Sequence, residues 1–236
     1  MDGTRELARA IEGGARVVEV FVDEAVLDEA GRDAVLVARE RGARVTPVTA
    51  PVLERLAYGD RSEGLVATVA IPDTSLDGLA LPDEALIVVL EGVEKPGNLG
   101  AVLRTADGAG ADAVIVADPR TDLFNPNAIR ASLGTIFAVP LASGSSDAVR
   151  ARLEGAGVRI LAARVGAGSD YSHADLRGSV ALVLGSEAGG LTDAWSGDRI
   201  APVSLPMLGV ADSLNVSIAA AVLLYEARRQ RGERPA

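Results

Sequence analysis

The sequence of 236 residues has no cysteine, a single histidine, His173, and a single lysine, Lys95. Without cysteine the chain can form neither a disulfide nor a thiolate metal site, and it has no thiol nucleophile. One histidine cannot build a histidine cluster, so metal catalysis would depend on carboxylates alone. We therefore expect a protein that uses no metal.

Long apolar runs are also missing. No run approaches the roughly 20 residues that cross a bilayer, and the first residues lack the basic and apolar regions of a signal peptide. The sequence thus predicts a cytoplasmic protein with no membrane partner.

Positive charge is scarce, since 33 acidic residues outnumber 23 basic ones and the net charge is −10. This argues at first against a nucleic-acid partner, because phosphate binding depends on basic surface. Lys95 apart, all the basic residues are arginine. GC-rich coding is the simpler explanation for this preference for arginine over lysine. The functional explanation is bidentate recognition of phosphate, for which arginine is better suited than lysine.

Residues 1–72 alternate helical and extended patterns, which predicts a small α/β unit with one sheet between helices. A turn-rich stretch with two prolines follows, and we assign residues 73–84 as a linker. In the first unit we predict helices at residues 4–11, 25–41 and 52–56 and strands at residues 17–22, 44–48 and 64–70.

Residues 85–236 contain apolar runs typical of a buried parallel sheet, with helical patterns between them. This is the pattern of a doubly wound α/β domain, whose ligands bind beyond the carboxyl ends of the strands. The predicted strands are residues 85–90, 113–116, 159–163, 180–184 and 200–203, and the predicted helices are residues 99–108, 127–133, 148–154 and 213–229.

The loop after residues 85–90 contains Asn98 and, further on, Arg104. A helix cap at Asn98 and an exposed arginine would be the ordinary interpretation. The glycines of this loop do not have the spacing of a dinucleotide fingerprint, and the chain has no phosphate loop of the Gly-x-x-x-x-Gly-Lys type. An enzyme that uses a nicotinamide nucleotide is therefore a poorly supported alternative.

The loop after residues 180–184 begins with Gly185-Ser-Glu187 and continues to a double glycine, which allows a ligand to approach the backbone closely. An ordinary turn between a strand and a helix is the simpler interpretation.

A third loop follows residues 200–203 and leads to a long alanine-rich helix. Asp212 or Ser213 is the expected cap of this helix. Asn215 and Ser217 would then lie in its first turns, where poor helix formers reduce stability unless their side chains are used.

In this order, the three loops closely resemble the motifs of the SpoU/TrmH family in the SPOUT superfamily, which are RNA 2′-O-ribose methyltransferases. The resemblance covers residues 85–230 and includes the segment from Arg130 to Pro140. The matching motifs are Gly-Asn-Leu-Gly-Ala-x-Leu-Arg-Thr-Ala, Leu-Gly-Ser-Glu-x-x-Gly-Leu and Leu-Pro-Met followed by Ser-Leu-Asn-Val-Ser. The first unit looks like the ribosomal-protein-like substrate-binding domain of the ribosomal RNA members.

This resemblance implies a SPOUT methyltransferase domain at residues 85–236, with a parallel sheet and a deep trefoil knot. It implies S-adenosylmethionine (SAM) as the cofactor and a homodimer whose interface adjoins the cofactor. By motif position, the implied cofactor contacts are Leu184, Gly185, Glu187, Ile200, Met207, Ser213 and Leu214.

The implied reaction transfers a methyl group to a ribose 2′-hydroxyl of RNA, most simply of large-subunit ribosomal RNA. The family attributes removal of the hydroxyl proton to the arginine of the first motif, here Arg104. Because arginine is a poor base, binding a phosphate and stabilising developing negative charge is a safer role. The implied catalytic set is Arg104, Asn98, Glu187, Ser213 and Asn215, and the implied RNA contacts are Arg104, Arg130 and Ser132.

Two alternatives stay open, a tRNA substrate and a noncatalytic RNA-binding paralogue, although such a paralogue should have lost part of the catalytic set. The acidity is compatible with RNA binding through a local arginine surface near Arg104 and Arg130. Ribosomal RNA members often carry a basic segment ahead of the Gly-Thr-Arg-Glu region at which this chain begins. A longer natural N-terminus is the corresponding hypothesis.

Overall fold

The computed structural model describes residues 1–58, 63–166, 169–186 and 189–232. It contains a three-stranded sheet followed along the chain by a six-stranded sheet. Across these ranges, no helix combines the length and the apolar character that a membrane crossing requires.

In the three-stranded sheet, the central strand β1 pairs in parallel with β2 and antiparallel with β3. The predicted elements are all present, and the second helix begins later than predicted because the Asp28 carboxylate caps it by accepting from the Gly31 N–H. The elements are α1 (Thr4–Glu12), β1 (Val17–Val22), α2 (Glu29–Glu40), β2 (Arg44–Pro47), α3 (Ala50–Leu56) and β3 (Leu65–Val69).

Helices α1 and α2 cover this sheet with their apolar faces. Leu7 of α1, Ala38 of α2 and Val20 of β1 are fully buried in one cluster, which gives these residues a core of their own.

The second sheet has six parallel strands in the order β6-β5-β4-β8-β7-β9. All five predicted strands are present. Every residue of β4, β5 and β8 is buried, as expected for a parallel sheet that is covered on both faces. The strands are β4 (Leu86–Glu91), β5 (Ala113–Ala117), β6 (Leu141–Gly144), β7 (Arg159–Ala163), β8 (Val180–Leu184) and β9 (Ile200–Val203).

Separate apolar clusters cover the two faces of this sheet. Helices α4 and α7 pack on one face, and α6 packs on the other together with Trp195. The helices are α4 (Pro96–Ala109), α5 (Pro126–Ala131), α6 (Ser146–Gly155) and α7 (Val216–Arg231).

The observed starts of two helices, α4 and α7, change how Asn98 and Asn215 are interpreted. Helix α4 already begins at Pro96, so Asn98 lies in its first turn rather than at its cap. Helix α7 begins at Val216, and Asn215 is its cap: the Asn215 Oδ1 accepts from the Ser217 N–H at 2.9 Å and from the Ser217 hydroxyl at 2.7 Å. The poor helix formers at residues 215 and 217 are therefore explained by capping.

Candidate active site

A cavity of about 370 Å³ lies beyond the carboxyl ends of β7, β8 and β9. Its size is that of a small-molecule site, and it lies where parallel α/β sheets bind ligands. Arg164 is the only charged side chain among the described residues that line it. The lining segments are residues 163–165, 184–186, 189–191, 203–205, 207 and 213–214, with residues 216, 219 and 223 of α7.

Two described segments after β8, residues 185–186 and 189–191, form one wall of the cavity. The Gly190 N–H donates to the Ser186 carbonyl at 3.0 Å, and Gly190 has a left-handed φ of 64°. A Cβ atom on Gly185 would lie only 2.1 Å from the carbonyl carbon of Gly190. Residue 185 must therefore be glycine for its backbone to approach that of Gly190. The sequence had suggested a different reason for this glycine, namely close approach of a ligand.

Five of the predicted cofactor contacts line the cavity, namely Leu184, Gly185, Met207, Ser213 and Leu214. Glu187, which we also predicted, lies outside the described residues.

Ile200 does not line this cavity, and a cofactor contact by Ile200 stays a prediction. It begins β9, so it lies about 10 Å along the strand from the carboxyl end at Val203. Its side chain is buried on the sheet face that carries Trp195. Val203 lines the cavity instead.

Asn98 and Asn215 are brought together from distant parts of the chain. The Asn215 Nδ2 donates to the Asn98 Oδ1 at 3.3 Å. The Nδ2 of Asn98 is buried and has no hydrogen-bond partner within the described part of the chain. A buried donor without a partner costs roughly 1 to 3 kcal/mol. Because Asn215 directly follows two cavity residues, Ser213 and Leu214, this unused donor is a candidate ligand contact.

Arg104 lies on α4, about 9 Å along the helix axis from Asn98. Its side chain is exposed and makes no hydrogen bond or ion pair with the residues that the structure describes. The guanidinium is therefore available to bind an anion such as a phosphate.

Comparison with known proteins decides the family. The profile of the SpoU rRNA methylase family matches residues 85–225. The chain belongs to this family. The motifs that suggested it from the sequence lie within the matched residues.

Relatives of this SpoU methylase match it over nearly its whole length. It is 35% identical to the 23S rRNA (guanosine-2'-O-)-methyltransferase RlmB of Ralstonia nicotianae, over 97% of this chain and 94% of the relative. It is 31% identical to the 23S rRNA (uridine(2479)-2'-O)-methyltransferase of Streptomyces viridochromogenes, over 97% of this chain and 82% of the relative.

A solved structure shares the fold of this SpoU methylase. The AdoMet-bound rRNA methyltransferase from Sinorhizobium meliloti superposes with a TM-score of 0.87 at 28% identity, covering 97% of this chain and 86% of that one. The predicted α/β fold with a parallel sheet is thereby confirmed.

The two other predicted RNA contacts of this SpoU methylase have partners inside the protein. Arg130 is partly buried, donates to the Asp2 carboxylate and to the Tyr58 carbonyl, and lies 5.6 Å from the centre of the Tyr58 ring. An RNA contact by Arg130 stays a prediction.

Ser132 is fully buried, and its hydroxyl donates to the Ile129 carbonyl at 2.8 Å. In this structure Ser132 stabilises the turn after α5, and a contact between Ser132 and RNA stays a prediction.

Sequence reasoning missed several cavity residues, among them Arg164 after β7 and Leu205 after β9. The signal that could have found Arg164 is its place at the carboxyl end of a parallel strand, the same rule that drew attention to the other loops. Leu205 lies immediately before the Pro-Met pair of the third loop and could have been included with Met207.

Proposed function

We propose that this chain is a SAM-dependent RNA 2′-O-ribose methyltransferase that acts on 23S ribosomal RNA. The observation that carries the proposal is the cavity beside the Asn98–Asn215 pair. Relatives of the chain are 23S rRNA 2′-O-methyltransferases, and a solved structure with the same fold is AdoMet-bound.

The residues that line the cavity fit SAM. Leu205, Met207 and Leu214 offer apolar side chains for the adenine ring, and the backbone groups of residues 184–186 can bind its polar edge. Bound SAM supplies a sulfonium methyl group, which is a strong methyl donor. The task left to the protein is to hold the ribose hydroxyl in line with that group.

Four described side chains take the catalytic roles. Asn98 donates its free Nδ2 hydrogens to the ribose, and Asn215 orients Asn98 through the hydrogen bond between the two amides. Arg104 binds a phosphate of the RNA and stabilises the negative charge that develops on the 2′-oxygen. Ser213 completes the pocket wall. For Glu187, which lies outside the described residues, the role of ordering the cofactor loop comes from the family resemblance alone.

Residues 1–72 serve as the RNA substrate-binding domain, and residues 73–84 link it to the methyltransferase domain at residues 85–236. Two observations support this division. The three-stranded sheet has its own buried cluster, and the match to the family profile begins at residue 85.

The methyltransferase domain contains a trefoil knot. In support, the chain leaves the edge strand β9, passes the loops after β7 and β8 at the cavity, and returns to pack α7 against α4. A threaded C-terminal segment requires such a path.

The enzyme acts as a homodimer. Leu208 and Val210, in the loop after β9, have exposed fractions of 98% and 104%, and Ile218 on α7 is also exposed. This apolar surface adjoins the cavity and is suited to a second copy of the chain.

The test is transfer of a labelled methyl group from SAM to 23S rRNA by the purified protein, with mapping of the methylated nucleotide. Transfer to rRNA and not to tRNA is the expected result. Transfer to tRNA alone would replace the proposed substrate. If the protein neither binds SAM nor transfers methyl to any RNA, it is a noncatalytic paralogue and the proposal is wrong.

A further inference from the structure

Glu91 is a buried carboxylate to which the proposed reaction gives no role. It ends β4, is 4% exposed and accepts three hydrogen bonds. Two of the bonds come from Thr192, one from its N–H at 2.8 Å and one from its hydroxyl at 2.6 Å. The third comes from the hydroxyl of Ser146, at the start of α6, at 2.8 Å.

Arg164 also binds Thr192, through the backbone carbonyl of that residue. Its guanidinium donates to the Thr192 carbonyl at 2.9 Å and to the neighbouring Leu191 carbonyl at 3.1 Å. The N–H, the hydroxyl and the carbonyl of Thr192 are thus all bound by two side chains.

Thr192 directly follows the loop that forms the cavity wall. That loop starts at the end of β8, where the sheet holds it, and ends at Leu191, which lines the cavity. Glu91 comes from β4 and Arg164 follows β7, and these are the two strands that flank β8. Thr192, at the end of the loop after β8, is therefore held by side chains from both strands that flank β8, Glu91 from β4 and Arg164 after β7.

We propose that Glu91 and Arg164 clamp Thr192 so that Gly189, Gly190 and Leu191, which line the cavity, are already in their cofactor-binding conformation before SAM arrives. Glu91 is then a positioning residue that acts through Thr192. A loop ordered in advance loses less conformational entropy on binding, so the clamp raises the affinity for SAM. This inference rests on the proposed function, because it requires the cavity to be the SAM site.

Thr192→Val tests the clamp by removing one hydroxyl without a large change of shape. The Kd for SAM, measured by calorimetry, should rise about tenfold, because one hydrogen bond to a charged group is lost. A tenfold change in Kd corresponds to about 1.4 kcal/mol. The KM for SAM should rise by a similar factor while the KM for RNA stays unchanged. Thr192→Ser keeps the hydroxyl and should restore binding to within about twofold of the wild type.

Ser146→Ala is the matched control, because it removes a hydrogen bond to the same carboxylate without touching the loop. Its Tm should fall about as much as that of Thr192→Val, and its Kd for SAM should stay within about twofold of the wild type. Glu91→Gln places an amide N–H₂ against these donors and should weaken SAM binding at least as much as Thr192→Val.

The outcomes separate the clamp from the function on which it rests. If the wild-type protein binds no SAM, the proposed function fails and the clamp fails with it. If the wild type binds SAM and Thr192→Val binds it equally well, the clamp alone is refuted. Equal weakening in Ser146→Ala and Thr192→Val would indicate general loosening and would also overturn the clamp.

Discussion

Gly185→Ala should abolish most SAM binding while the rest of the protein stays folded. The added Cβ would lie 2.1 Å from the Gly190 carbonyl carbon, 2.3 Å from the Gly190 oxygen and 2.4 Å from the Leu191 nitrogen. All three neighbours are backbone atoms, so no side chain can rotate away to relieve the overlap.

The size of the effect follows from the movement that the overlap requires. An ordinary contact to a Cβ begins near 3.4 Å, so the backbone at Gly190 must move by at least 3.4 − 2.1 = 1.3 Å. Such a shift breaks the hydrogen bond between the Gly190 N–H and the Ser186 carbonyl, which closes the loop. Overpacking of this kind costs about 1 to 3 kcal/mol, and we expect a loss of SAM affinity of about tenfold or more.

Calorimetric titration with SAM measures this effect, and thermal unfolding of the same samples checks the fold. Gly155→Ala is the matched control, because nothing lies within 4 Å of a Cβ at that position and the residue ends helix α6. It should bind SAM like the wild type. If Gly185→Ala bound SAM with unchanged affinity, the loop after β8 would not form the wall of the cofactor site.

Three further predictions concern charged residues. Arg104→Ala should abolish methyl transfer to RNA and leave the Kd for SAM unchanged; full transfer by this variant would remove Arg104 from the mechanism. Arg130→Ala should lower the free energy of unfolding by about 1 to 2 kcal/mol, because the buried Asp2 carboxylate loses its partner, and an unchanged denaturant midpoint would contradict this. Burial raises the pKa of Glu6 above its usual value of 4.5, so its ionisation opposes folding as the pH rises through the raised pKa. Glu6→Gln should therefore raise the Tm at neutral pH and not at pH 4; equal effects at both pH values would refute the assignment.

Local sequence patterns were sufficient to predict strands where a run of apolar residues is also buried in the structure. The apolar runs of β4, β5 and β8 predict strands buried on both faces, and the structure has them. Strand β6 was missed because Leu141–Gly144 is short and ends in Ser-Gly, without an apolar run. Its extended conformation depends on pairing with β5, and pairing is not visible in four residues.

Helix starts show a second limit of local patterns. Asp212, Ser213 and Asn215 are all good capping residues, and the sequence alone does not rank them. Asn215 is the cap because the loop after β9 lines the cavity through Ser213 and Leu214 before the helix begins.

The sequence by itself determined the family through its three motifs, excluded thiol chemistry through the absence of cysteine, and located most of the strands. Tertiary structure decided which distant residues meet. It joined Asn98 to Asn215, buried Ser132, separated Ile200 from the cavity and directed Glu91 to Thr192. The physical reason is that these features depend on packing and strand pairing between segments far apart in the chain, which together give the strand order β6-β5-β4-β8-β7-β9.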